Sequence, residues 1–100
     1  GVTSAVFSPT GDRVLTASAD KSARLWNAST GEVLQRFTGH SKTLTSAVFS
    51  PTGDYVLTRD IGSTAKLWNA SSGEVLHTFE GIGRAAVFLP KLWAASGLEG

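Results

Sequence analysis

Short runs in which apolar or small side chains alternate with polar ones fill most of this chain, and each run stops at a cluster of turn residues. Alternation with a period of two marks strands that bury one face. Thr3 to Ser8 alternates and stops at Pro9-Thr10-Gly11-Asp12, where proline cannot donate to a ladder and glycine tolerates a positive φ. Arg13 to Ser18 is a second run, ended by Ala19-Asp20-Lys21. Ser22 to Asn27 is a third, ended by Ala28-Ser29-Thr30-Gly31, and Glu32 to Thr38 is a fourth, ended by Gly39-His40. Four strands joined by short loops predict one antiparallel meander. The same four runs return at Thr45 to Ser50, Tyr55 to Asp60, Thr64 to Asn69 and Glu74 to Glu80.

That return is close to a copy. Thr3 to Gly39 set against Thr45 to Gly81, 42 residues on and without a gap, gives 25 identities in 37 positions. Repeats of this length build solenoids, propellers or arrays, in which each unit needs neighbours to bury its apolar faces. A third unit starts and breaks off. Ala86-Val87-Phe88-Leu89-Pro90 matches Ala47-Val48-Phe49-Ser50-Pro51, which predicts a strand over Arg84 to Leu89. Lys91 to Gly97 reads by wording as a third strand, after Lys66 to Ser71, and by position as a second strand. Position is favoured, because sequential strands normally pair. The expected units are 2–40, 44–81 and a partial one at 84–97.

Composition changes this picture little. Of 100 residues 41% are hydrophobic and 17% charged, as in ordinary globular chains. Nine basic and eight acidic residues leave a net charge of +1 with no basic stripe, so nucleic acid is not an expected partner. No apolar run approaches the roughly 20 residues that span a bilayer, and no charged-then-apolar leader stands at the start, so no membrane role is expected. The absence of cysteine excludes disulfides and thiolate sites and fits a cytoplasmic location. Without an initiator Met, Gly1 reads as a trimmed end, an internal boundary or a cloning remnant. Gly97-Leu98-Glu99-Gly100 also looks like an end left by cloning.

The frame Gly39-His40, then Ala47-Val48-Phe49-Ser50-Pro51-Thr52-Gly53-Asp54, then Ala65-Lys66-Leu67-Trp68-Asn69 resembles the WD-repeat β-propeller family. The resemblance covers about residues 2 to 82. Trp26-Asn27 and Trp68-Asn69 stand where the family closes with Trp-Asp. It implies an all-β fold of four-stranded antiparallel blades, innermost strand first, set around a channel. It also implies a hydrogen-bonded tetrad in each blade: a His after Gly, a Ser or Thr on the second strand, an Asp in the next turn, and the Trp. Ser18, Asp20 and Trp26 match three members in the first repeat. In the second, His40 and Trp68 match, while Asp60 stands where Ser18 did and Gly62 where Asp20 did, so neither set is complete on this reading.

Catalysis is not expected from these residues. Ser, His and Asp together invite a triad, but tetrad roles explain them and no oxyanion-hole motif accompanies them. Two isolated histidines make no metal site, and no cofactor is expected. His77, in place of Gln35, reads as a solvated edge residue. The Asn27-Ala28-Ser29 and Asn69-Ala70-Ser71 triplets coincide with turns and read as turn residues rather than glycosylation sites. Two readings of Asp60 stay open: a direct hydrogen bond to His40, raising the histidine pKa, or an exposed carboxylate at a mispaired strand end. Arg59, in place of Ala17, is a candidate for binding or a side chain snorkelling to the rim. Trp26 and Trp68 should be equivalent in packing, and Trp93 less important.

About two and a half blades cannot close a ring, since propellers have about 4 to 8. The exposed blade faces should drive head-to-tail association with further copies of the chain, three or four being favoured. The expected function is therefore a non-enzymatic, self-assembling scaffold or protein-interaction module, natural or designed, with rim loops free for other proteins. The alternative is a fragment of a regulatory propeller attached to a larger enzyme.

Overall fold

The alternating runs fold as eight strands in a computed structural model that describes residues 1–81. They are β1 (Val2–Phe7), β2 (Arg13–Ser18), β3 (Ser22–Asn27), β4 (Val33–Thr38), β5 (Leu44–Phe49), β6 (Tyr55–Asp60), β7 (Ala65–Asn69) and β8 (Val75–Phe79). Two antiparallel four-stranded sheets result, ordered β1-β2-β3-β4 and β5-β6-β7-β8. The fold is all-β, the described residues include no helix, and the two sheets leave the ring unclosed. The partial unit expected at 84–97, Trp93 included, lies outside the described residues.

The copied sequence copies the local geometry. Ser8 and Ser50 each accept a backbone N–H five residues on, from Arg13 and Tyr55, both at 3.1 Å. Gly11 and Gly53 then close the turns with φ of 78° and 82°, where a side chain would be strained. Both first ladders slip once, between Val2 and Ser4 and between Leu44 and Ser46. At the next turn Asn27 Oδ1 accepts the N–H groups of Ser29 and Thr30, and Asn69 Oδ1 those of Ser71 and Ser72. These asparagines hold their turns through the side chain, the backbone role expected of them.

Residues directly opposite in an antiparallel pair project from the same face. In the first sheet Ala5 faces Thr16, Phe7 faces Val14, and Val14 faces Trp26, so these share one face. Leu15 and Leu25, with Ala17 and Ala23, share the other. That second face meets the sheet β5–β8, and the core lies in the joint between them. Leu15, Ala17, Ala23, Leu25 and Phe37 cluster there with Leu44, Ala47, Val56, Trp68 and Ala70. The Phe37 and Trp68 rings meet edge to face, 5.5 Å apart at 63°, a favoured aromatic geometry.

Polar clasps border this apolar joint. Thr3 Oγ1 donates to the Leu44 carbonyl at 2.9 Å, Arg13 Nη2 to the Gly53 carbonyl at 3.1 Å, and Gln35 Nε2 to the Ser71 carbonyl at 3.0 Å. The Arg13 guanidinium also sits 5.3 Å over the Phe49 ring. On the far face of the second sheet Ala65 and Leu67 are buried, Leu57 and Arg59 are half-buried, and Phe79 is 40% exposed.

Candidate functional site

A buried polar chain of four residues, His40, Thr58, Asp60 and Trp68, joins the linker before β5 to strands β6 and β7. Gly39, at a φ of 147°, turns the linker from β4 towards β5 and brings His40 beside Trp68, with the rings tilted at 44° and 6.4 Å apart. It is the backbone angle that favours glycine there, since a Cβ on Gly39 would meet the end of the Trp68 ring at 3.4 Å, an ordinary contact. Strand alternation puts Thr58 and Asp60 on one face of β6, and register sets Thr58 diagonal to Trp68 on β7. Trp68 Nε1 donates to Thr58 Oγ1 at 2.8 Å, His40 Nε2 lies 2.6 Å from the same oxygen, and His40 Nδ1 lies 2.9 Å from Asp60 Oδ2. His40 is 7% exposed, Asp60 4%, and Thr58 fully buried.

The order of donors sets the histidine tautomer. The indole can only donate, so Thr58 accepts from it and passes its own proton to His40 Nε2. The alternative acceptor for that proton, the Lys66 carbonyl, is 3.5 Å away, beyond a good O–H···O bond. His40 Nδ1–H then donates to the Asp60 carboxylate, and every group is satisfied with a neutral imidazole. Protonation would put a second N–H on Thr58 Oγ1 and leave the threonine proton only the longer bond to the Lys66 carbonyl. Burial accordingly holds the His40 pKa below its ordinary 6.5, against the pull of Asp60. The expected upward shift is thus reversed: the contact forms, but desolvation outweighs it.

Asp60 serves the turn as well as the imidazole. Its Oδ1 accepts from the N–H groups of Gly62 and Thr64, at 2.8 and 3.1 Å, and holds Ser63 at a φ of 66°. Burial disfavours its charge, yet the bonds from His40, Thr64 and Gly62 prevail and keep its carboxyl below the usual range. In the first sheet Asp20 does the turn work from two places further on. Its Oδ1 accepts from the backbone and hydroxyl of Ser22, which lower its pKa. Lys21 there has a φ of 76°.

The first sheet carries half of the same chain. Trp26 Nε1 donates to Thr16 Oγ1 at 2.9 Å. Ser18, expected as the hydroxyl member, instead donates to the Gly1 carbonyl at 3.2 Å. The hydroxyl beside each tryptophan belongs to Thr16 and Thr58, and the second sheet does bring a hydroxyl, a histidine, an aspartate and a tryptophan together. The signal was present in the sequence: the shared Val-Leu-Thr keeps a threonine at both positions, on the tryptophan's own face.

Beside Thr16 the first sheet's outer face is open. Val2 is 66% and Phe7 70% exposed, while Trp26 is half-buried. The residues equivalent to these by repeat, Leu44, Phe49 and Trp68, form or border the joint. Among the described residues no group of three His, Cys, Asp or Glu side chains is placed to hold a metal ion.

Two blade-like meanders joined in this way have a clear counterpart. The family model of the WD domain, G-beta repeat, matches residues 1–27 and 31–69. The chain belongs to the WD40 family. Its two described sheets are WD40 repeats in tandem, and they match solved β-propellers. One is the crystal structure of RRP9 WD40 repeats, 27% identical with a TM-score of 0.74 over 80% of this chain and 26% of that one. Another is the β-propeller domain of Myceliophteria thermophila Cps50 (Swd1), 28% identical with a TM-score of 0.75 over 79% of this chain and 24% of that one. The chain thus spans about a quarter of the length of these solved WD40 structures. No curated protein matches it.

Proposed function

We propose that this chain is a non-enzymatic interaction scaffold, a propeller segment that extends its ring by head-to-tail association with further copies of itself. One observation carries the reading. The open face of the first sheet presents Val2, Ala5, Phe7, Val14, Thr16 and Trp26, and their counterparts Leu44, Ala47, Phe49, Val56, Thr58 and Trp68 lie against the first sheet within the chain. A face that one blade covers inside the chain fits a like blade from outside it. The matching donor is the second sheet, whose far face repeats Leu15, Ala23, Leu25 and Phe37 as Leu57, Ala65, Leu67 and Phe79.

Such a contact is heterologous and closes a ring if the angle between blades suits. Three copies would bring six blades and four would bring eight, inside the range of about 4 to 8 that propellers adopt. Burial also supports a structural role for the polar chain: Thr58 is fully buried and its oxygen is engaged by both Trp68 and His40, so no nucleophile reaches solvent there.

Light scattering with mass determination tests the assembly. A discrete trimer or tetramer that Phe7→Glu dissociates is the expected result. A stable monomer with cooperative unfolding counts against it. The second reading, a segment of a longer regulatory propeller, is favoured by the quarter-length match to solved relatives. It predicts that a longer reading frame supplies the blade that covers Phe7.

A further inference from the structure

Resting on the head-to-tail reading, we infer that Arg59 of one copy pairs with Asp20 of the next and so fixes which faces join between copies. Arg59 is the point at which the far face of the second sheet departs most from the docking face of the first, since it stands where Ala17 is fully buried. The end of β2 that carries Ala17 is held to the second sheet by Thr43, whose hydroxyl donates to the Ala19 carbonyl at 3.4 Å. Leu44 shares the buried cluster with Ala17 and is paired with Asp60. The same joint carried to a second copy sets Arg59 beside Val2, opposite Ser18, at the foot of the turn that bears Asp20.

Both members of the pair suit that place. A guanidinium brought into an apolar joint needs a carboxylate, and among the described residues none forms an ion pair with Arg59. Its Nε meets only the Thr45 hydroxyl, at 3.4 Å. Asp20 is the receiving group, with a side chain 51% exposed. Oδ1 is occupied by Ser22, whereas Oδ2 has only Arg24, 3.6 Å away, and keeps room for a second donor. The joint inside the chain carries no charge at either equivalent position, which are Ala17 and Gly62. A charge pair confined to one kind of junction gives register and orientation more than raw affinity.

Sedimentation of the whole chain over a range of concentrations and salt tests the pair, using Arg59→Ala, Asp20→Asn and the double variant. Asp20→Asn keeps an oxygen for the Ser22 turn, and circular dichroism of each variant confirms that the sheets persist. The expected result is a loss of about tenfold in association for each single variant, no larger loss for the double, and weaker association at high salt. Arg59→Ala restores the residue found inside the chain. Tighter or unchanged association of that variant overturns the pair while leaving the assembly standing, and so do additive losses. A wild-type chain that stays monomeric overturns the assembly reading and the pair together.

Discussion

Val2 and Leu44 hold the same place in the two sheets, yet Val2 is 66% exposed and Leu44 is fully buried. Trp26 and Trp68 differ in the same way: each indole donates to a threonine on the adjacent strand, but only Trp68 is covered, by Phe37 and His40. The sequences of the two sheets do not explain this. What differs is the neighbour, since the first sheet covers this face of the second and no described residue covers the same face of the first. In a repeat fold, stability therefore belongs to the joint between units as much as to the units. Identical side chains at equivalent positions should show unequal energies.

The largest test of that asymmetry is Trp68→Ala against Trp26→Ala. Removing the covered indole should cost about 3 to 5 kcal/mol, and removing the half-exposed one distinctly less, read from urea unfolding of the monomeric chain. Equal losses in the monomer would break the comparison, whereas losses that become equal only at concentrations where the chain associates would mean that a second copy covers the open face. Leu44→Ala should follow, at about 2 to 5 kcal/mol, while Val2→Ala stays within about 0.5 kcal/mol. If Val2→Ala becomes costly only at high protein concentration, the comparison sharpens into evidence for docking on that face.

Much of this was legible in the chain. Period-two alternation and the Pro-Thr-Gly-Asp turns place all eight strands within a residue or two, because turn chemistry is local. The tetrad was harder. Ser18 matches the family's second-strand hydroxyl, but the hydroxyl diagonal to each tryptophan across the adjacent strand is Thr16 or Thr58, two residues nearer its ring. The aspartate moved between repeats, from Asp20 to Asp60, and only three-dimensional placement shows that both cap the same turn. The sign of the His40 shift also escaped the sequence, since burial is set by the opposing sheet.

Thr58→Val retains shape and removes the oxygen that joins His40 to Trp68. It should cost about 1 to 3 kcal/mol, the penalty of stranding a buried donor and acceptor. Thr16→Val has one partner to lose, at a less buried site, and should cost less. Equal costs in denaturant midpoints would show that the half-built chain of the first sheet is completed by something in solution.

The smallest effect is a dependence on pH in the histidine range, which arises at His40 in the second sheet and has no counterpart among the shifted groups of the first. His40 has a folded-state pKa below its ordinary 6.5, so on acidification the unfolded chain takes up the proton first. Stability is complete above about pH 6.5 and falls as pH drops towards the depressed folded value, by at most about 1.4 kcal/mol per pH unit. Asp60 is lowered too, and its contribution is lost only at pH below its ordinary 3.8. Urea midpoints measured from about pH 8 down to about pH 5 should decline in the wild type and flatten in His40→Asn. A rise on acidification would reverse the picture, because it would require a charged imidazole bound to Asp60 more tightly than burial opposes it. The donor order from Trp68 through Thr58 argues against that, since accepting from both rings would turn the Thr58 proton away from His40 Nε2 at 2.6 Å to the Lys66 carbonyl at 3.5 Å.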